Sequence, residues 1–258
     1  YYTDTKSVLD QAIRILQAMI DVTSDAGWLR TALSTMNLMQ MIMQGRMITE
    51  SSLLTLPHIT RDHVNKLKRR GITVLPQLMD LCTTSAQRAQ KKLADCGVSQ
   101  RNAEQTVTLC RRLPVVNVKA FVDKTNSSDG RTIHVKLQRE GKSCGSKAPT
   151  AHTPRFPKIK EEGWWIVVGD VVNDELLALR RISFGDRAHV KLKCPKGSSH
   201  GGRAPKLVVF FMSDSYIGLD QEIELNAADA LDSDDDDDDA DTFWILPPKE
   251  TEPFWLGE

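Results

Sequence analysis

The sequence predicts an α+β chain of several units. A helical bundle remnant and a helix-loop-helix unit precede an antiparallel β-sandwich of the immunoglobulin or fibronectin type. Three observations predict this order. Apolar residues recur at helical spacing up to about residue 113, and beyond Pro114 the pattern changes to period two. Short strand-like runs then alternate with stretches rich in Gly, Ser, Asp and Pro. With 258 residues the chain is long enough to bury more than one small core.

Residues 5–22 place Val8, Leu9, Ala12, Ile13, Leu16, Met19 and Ile20 on one helical face, with Gln11, Arg14, Gln17 and Asp21 outside. Ser24-Asp25-Ala26-Gly27 breaks this helix, and a second spans about 28–47 with Leu29, Leu33, Met36, Met39, Ile42 and Met43 inward. Its methionines suit core filling, or else an adaptable groove. Both helices carry more apolar surface than they can cover for each other, which predicts that the rest of a bundle lies upstream. The chain opens on Tyr1-Tyr2-Thr3, without Met, and so reads as a piece of a longer protein.

The second unit, residues 51–113, is built of short helices. Pro57 precedes a helix over 61–70 and Gly71 follows its end. Helices over 74–82 and 86–96 come next, then Gly97, the cap candidate Ser99 and a last helix ending near Arg112. The sandwich is predicted over 114–230. Val115, Val118 and Phe121 are read as one strand, and Ile133, Val135 and Leu137 as the next. Runs at 164–168, 176–180, 190–192, 207–212 and 222–225 complete about seven strands. Residues 231–258 form an acidic tail expected to be disordered, with aromatic clusters at 243–246 and 254–256.

The formal net charge of zero hides a division. Residues 232–258 hold eight Asp, three Glu and one Lys, a net of −10, while residues 1–231 hold 33 basic and 23 acidic side chains, a net of +10. A basic body suits work near a polyanion. The five cysteines (Cys82, Cys96, Cys110, Cys144 and Cys194) include no CxxC pair, so neither disulfides nor zinc are expected. No apolar run reaches membrane length, and no membrane association is expected.

The sequence shows no catalytic engine. Gly141-Lys142-Ser143 lacks the glycine five residues earlier that a phosphate loop needs, since position 136 is Lys. Asp186-Arg187-Ala188-His189 has Arg187 where a helicase box carries an acid. The six histidines show no ligand spacing, and His58 and His63 read as surface residues at a helix start. No catalytic residue, metal site or cofactor is expected in this piece. The remaining chemical signal is electrostatic. Lys66, Lys68, Arg69 and Arg70 share one short helix, with Arg111 and Arg112 at the end of that unit. Such runs are usually solvated helix faces; the functional reading is contact with nucleic-acid phosphates. Leu56-Pro57-His58-Ile59-Thr60 has the outline of a helix-hairpin-helix turn without its phosphate-wrapping glycines.

Three motifs carry a family resemblance. They are Thr153-Pro154-Arg155-Phe156-Pro157-Lys158; Lys160-Glu161-Glu162-Gly163-Trp164-Trp165, continuing to Asp170; and Phe210-Phe211-Met212-Ser213-Asp214-Ser215-Tyr216-Ile217-Gly218-Leu219-Asp220-Gln221-Glu222. Together they resemble the Sec sixty-three domain that closes each helicase cassette of the large Ski-type superfamily-two helicases. In the helical half, Asp25-Ala26-Gly27-Trp28, Leu38-Met39-Gln40-Met41-Ile42-Met43-Gln44 and Ser52-Leu53-Leu54-Thr55-Leu56-Pro57 are most similar to its signal-cointegrator branch.

The resemblance covers about residues 1–228. It marks Gly163, Trp164, Trp165, Asp214, Tyr216, Gly218 and Asp220 as the structural motif. It further implies that residues 6–22 are similar to a ratchet helix lining a single-strand channel, with Arg14 and Gln17 toward the strand. By the same resemblance, the motor, with its ATP and magnesium, would lie upstream. Single-stranded RNA or DNA, the upstream helicase domains and other subunits of a complex would be partners, in the nucleus or cytoplasm. Ribosome rescue, DNA repair and transcription would be the settings. The translocon protein that names the domain shares part of the Ser213–Gln221 pattern, so an interaction scaffold of that type is the alternative.

Overall fold

The computed structural model describes residues 2–123, 130–141, 143–195 and 205–225. The acidic run and both aromatic clusters of the tail lie outside the described residues.

Helix α1 (Tyr2–Asp25) is followed, after a short turn, by α2 (Leu29–Gln44), and the two pack on each other. Of the apolar side chains on α1 only Ile13, Leu16 and Ile20 are buried, with Thr23 beyond them. Val8 and Met19, expected inward, are 65% and 44% exposed, and Ile15 and Val22 join them in a second apolar row facing out. The reason is geometric: α1 rests on α2 and one strand, which cover a single stripe. Helix α2 stops at Gly45, before the expected Met47. Its Leu29, Leu33, Met36, Met39 and Met43 are fully enclosed, so the methionines fill a core. The apolar surface that the two helices do not cover for each other thus stays exposed on α1 and is buried on α2. A β-sheet supplies what the sequence pattern left unpaired.

A 3₁₀ turn (Ser52–Thr55) leads to α3 (Arg61–Lys68), α4 (Leu75–Thr84), α5 (Ala86–Asp95) and α6 (Gln100–Cys110). The starts of α3, α5 and α6 are capped by the hydroxyl residues that precede them. Thr60 accepts from the His63 amide and the His63 ring accepts from the Thr60 amide. Ser85 accepts from Arg88 N, and Ser99 from Asn102 N. Leu53, Val64, Leu67, Leu75, Leu78, Leu93 and Val107 form the interior of this group.

Among the described residues, seven antiparallel strands follow in two sheets. Strands β1 (Val116–Val122), β2 (Arg131–Arg139) and β5 (Arg187–Cys194) make the order β1-β2-β5. Strands β3 (Trp164–Asp170), β4 (Glu175–Ile182), β6 (Leu207–Ser213) and β7 (Gln221–Glu224) make the order β4-β3-β6-β7. The chain is thus α+β. Ile133, Val135, Leu137, Val190 and Leu192 from the first sheet share one core with Trp164, Ile166, Val168, Val209 and Phe211 from the second. Trp164 stacks on Phe211 with ring centroids 4.4 Å apart and planes 6° from parallel.

The alternate residues Trp165, Val167, Phe210 and Met212 join the core made by α1 and α2. Strands β3 and β6 are buried on both faces, which is why their sequences run apolar without alternation. The two adjacent tryptophans divide, Trp164 to one core and Trp165 to the other. Phe121 departs from its expected row. Val116 is buried, Val118, Ala120 and Val122 pack against the shared core, and Phe121 points to the other face, where it stacks on His134 at 5.1 Å. Strand alternation puts 118 and 121 on opposite faces, and a spacing of three cannot keep them together.

Candidate functional site

The segment from Ser213 to Asp220 links β6 to β7 and gathers polar groups from most of the molecule. Locally it is a turn closed by its own serine: Ser213 Oγ accepts from the amides of Ser215 (3.1 Å) and Tyr216 (3.0 Å). Three side chains then reach outward from it.

Asp220 accepts from Ser213 N at 2.7 Å and from Gln40 Nε2, which lies 3.0 Å from both carboxylate oxygens. Gln40 Nε2 also donates to the Ser213 carbonyl at 2.8 Å, and one turn on Gln44 Nε2 donates to the carbonyls of Ser215 (2.6 Å) and His152 (3.1 Å). The i, i+4 spacing sets both amides on one side of α2. Burial pushes the Asp220 carboxyl up to about 7, against the pull of the Ser213 amide and Gln40.

Asp214 accepts from the Gly163 amide (3.1 Å), Ser215 Oγ (2.6 Å) and Arg181 Nη2 (3.0 Å). Gly163 is glycine for lack of room, because a Cβ there would run into the Asp214 carboxylate. The Arg181 guanidinium lies 5.6 Å from the centre of the Trp165 ring.

Tyr216 donates to Glu162 Oε1 (3.0 Å) and accepts from the His152 amide (2.9 Å). Glu162 Oε2 in turn pairs with Arg139 Nη2 at 2.8 Å, both side chains being buried. Burial raises the Glu162 carboxyl, opposed by Arg139 and by the Tyr216 hydroxyl. The Tyr216 phenol is raised by burial and by the carboxylate beside it. Gly218 closes the set. It has φ +82, and a Cβ there would stand 2.6 Å from Ser52 Cβ. Ser52 Oγ accepts from the first amide of α4 at 3.0 Å. One loop thereby ties α2, β2, β3, β4 and the start of the α3–α6 group together.

The motif residues converge there, and the basic candidates do not. Arg14 is exposed on α1. Gln17 is half-buried; with its amide oxygen toward Arg181 it accepts from the guanidinium at 2.9 and 3.2 Å. Lys66, Lys68, Arg69 and Arg70 are exposed at the end of α3, where Arg70 Nη1 contacts Cys96 Sγ at 2.8 Å. Helix α1 rests on α2 and β4, whereas α3 rests on α5 and the 3₁₀ turn, so the two basic sets sit in different layers. Among the described residues no group of three or more His, Cys, Asp or Glu is placed to hold a metal, and no helix is long and apolar enough to cross a membrane.

Gln40, Gln44, Arg139, Glu162 and Arg181 are not among the site residues that the sequence predicts. The two glutamines did carry a signal, as amides one turn apart in an otherwise apolar helix. The arginines carried none, since their partners lie far along the chain.

Residues 1–226 match the Sec63 Brl domain. The chain belongs to that family. This is the domain of the Ski-type helicases that the two aromatic motifs resembled. The Brl chain is 34% identical over 269 residues to Activating signal cointegrator 1 complex subunit 3 of Homo sapiens, an alignment covering 87% of this chain and 12% of that protein. It is 37% identical over 227 residues to DExH-box ATP-dependent RNA helicase DExH14 of Arabidopsis thaliana, covering 86% and 10%. It is 32% identical over 229 residues to U5 small nuclear ribonucleoprotein 200 kDa helicase of Homo sapiens, covering 87% and 10%. The chain thus spans about a tenth of the length of these curated relatives.

Proposed function

We propose that this Brl chain is the C-terminal accessory module of an ATP-dependent RNA or DNA helicase, without the ATPase motor. The motor, with its ATP and magnesium, belongs to the longer protein upstream. The module holds a single strand against Arg14 on α1 and against Lys66, Lys68, Arg69 and Arg70 at the end of α3, and offers its β domain to other subunits in the nucleus or cytoplasm. The junction around Asp214 and Asp220 carries this reading. It clamps α2, and through α2 the strand-facing α1, to both sheets, so that a force on the helix reaches the rest of the module. Two of the three relatives are named as helicases, which favours a helicase module over a translocon-type scaffold.

As part of the same reading, the β domain is a fibronectin-like sandwich. A three-stranded sheet β1-β2-β5 sharing its core with a four-stranded sheet β4-β3-β6-β7 supports that assignment. The division into units at 1–50, 51–113, 114–230 and 231–258 belongs to the proposal too.

Fluorescence anisotropy with a labelled single strand tests it. Arg14→Ala, and separately alanine at Lys66, Lys68, Arg69 and Arg70 together, weaken binding and flatten its salt dependence while the circular dichroism spectrum stays that of the parent chain. Affinity unchanged in both variants across the salt range removes the assignment of these residues.

A further inference from the structure

The outer face of the three-stranded sheet is cationic in a way that the sequence, read strand by strand, does not reveal. Register sets Lys119 directly opposite Lys136, Lys136 opposite His189, and His134 opposite Lys191. Arg187 and Lys193 project on the same side, because outward positions alternate along β5. Among the outward positions of β1, β2 and β5 none is Asp or Glu. The five Lys and Arg side chains are exposed, and among the described residues none of them takes part in an ion pair. Of the acids at its margin, Asp123 is engaged by His134 Nε2 at 3.5 Å and Asp186 by the Cys144 and Gly145 amides, while Glu140, just past β2, is exposed.

Like charges placed directly opposite destabilise a sheet. Lysines on an edge strand can be explained as a guard against unwanted pairing. Lys136 does not fit that explanation, because β2 is the central strand. A face that keeps Lys119 against Lys136 is built to receive negative charge.

We propose that this face is the docking site for the chain's own acidic segment, residues 232–241. That segment carries eight Asp and no basic residue. Its point of departure is close. The described chain ends at Leu225, just past β7, and β7 lies beside β1, with Gln221 Nε2 donating to the Val116 carbonyl at 2.7 Å. Strand β1 is one edge of the cationic face. The seven residue steps from Leu225 to Asp232 can span at most about 25 Å, and three strands are about 10 Å across. The first Asp can therefore reach the near, β1 edge of the face. A ten-residue extended run is about 33 Å long, enough to follow a strand of this sheet from end to end. A tether of this length gives an effective concentration on the order of millimolar. This inference does not depend on the helicase-module reading.

Zero-length carbodiimide coupling, which joins a carboxylate to an amine in direct contact, tests it on the 258-residue chain. At low salt, mass spectrometry finds Asp side chains of 232–241 joined to Lys119, Lys136, Lys191 or Lys193. The yield falls several-fold at about 0.5 M salt. A mixture of light and isotope-labelled chains shows the links to be within one chain. Three results overturn the proposal. The first is coupling mainly to Lys66, Lys68, Lys91 or Lys92, or no coupling of the segment. The second is links formed between chains. The third is protection of the four sheet lysines from acetylation by added oligothymidylate with no tail coupling, which would give the face to nucleic acid.

Discussion

The four-stranded sheet turns Trp165, Val167, Phe210 and Met212 outward, and α1 and α2 bury them. The three-stranded sheet turns Lys119, Lys136, Lys191 and Lys193 outward, and no described helix packs on them. Both sheets share one core, so the difference lies entirely in the second face. On the first sheet that face is stability, because apolar area is removed from water. On the second it is available charge, held in place by the same register and contributing little to folding. The polar junction at Ser213–Asp220 belongs to the first kind. It converts a hydrophobic contact between helix and sheet into a fixed relation, because Gln40 and Gln44 must meet particular carbonyls and carboxylates.

Substitutions on the two faces separate these roles. The largest effect is expected from Phe210→Ala, which empties a site between β6 and α2. Its loss of about 3–5 kcal/mol should appear in urea unfolding, and a loss below about 1 kcal/mol would mean that the helices do not depend on this face.

A smaller effect follows from Asp220. Its folded carboxyl titrates near 7, against about 4 in an unfolded chain. Between these values the folded state holds the proton more firmly, so this group makes stability decline as pH rises from about 4 to about 7. Thermal unfolding from pH 4 to 8 should show that decline in the parent chain, with a flatter curve for Asp220→Asn. Parallel curves would contradict the burial of this carboxyl.

The smallest change is expected from Lys136→Gln. It relieves the repulsion with Lys119 and forfeits the contact of the Lys136 ammonium with the Phe121 ring, 5.6 Å from its centroid. Stability should stay within about 0.5 kcal/mol of the parent. A loss above about 1 kcal/mol would show the cationic face to be part of the fold's support.

Much of the architecture was legible from periodicity. The helices, the seven strands and the division of Trp164 and Trp165 between two environments follow from spacing and from the apolar run of β3. What was not legible depended on pairing. The outward turn of Val8 and Met19 depends on how few elements cover α1. The place of Phe121 depends on the phase of β1, which Val115 and Val118, three apart, do not set. Arg139 and Glu162 meet only because β2 and β3 lie in sheets with one core. Along β5 the alternation of Arg187, His189, Lys191 and Lys193 was visible. That Lys119 and Lys136 stand beside them required the register of three strands. The family motif was recognisable as a string of letters, while its physical content, a buried hub of hydrogen bonds, came from the contacts of Asp214, Tyr216 and Asp220.

The claim on which the account turns is that this hub makes α2 and the four-stranded sheet one cooperative unit. Native-state hydrogen exchange measures that directly. The amides of Met36, Met39 and Met43 in α2 should open with the same free energy, and the same denaturant dependence, as those of Val167 in β3 and Val209 in β6. Exchange of α2 through a cheaper opening that leaves β3 and β6 protected would contradict it.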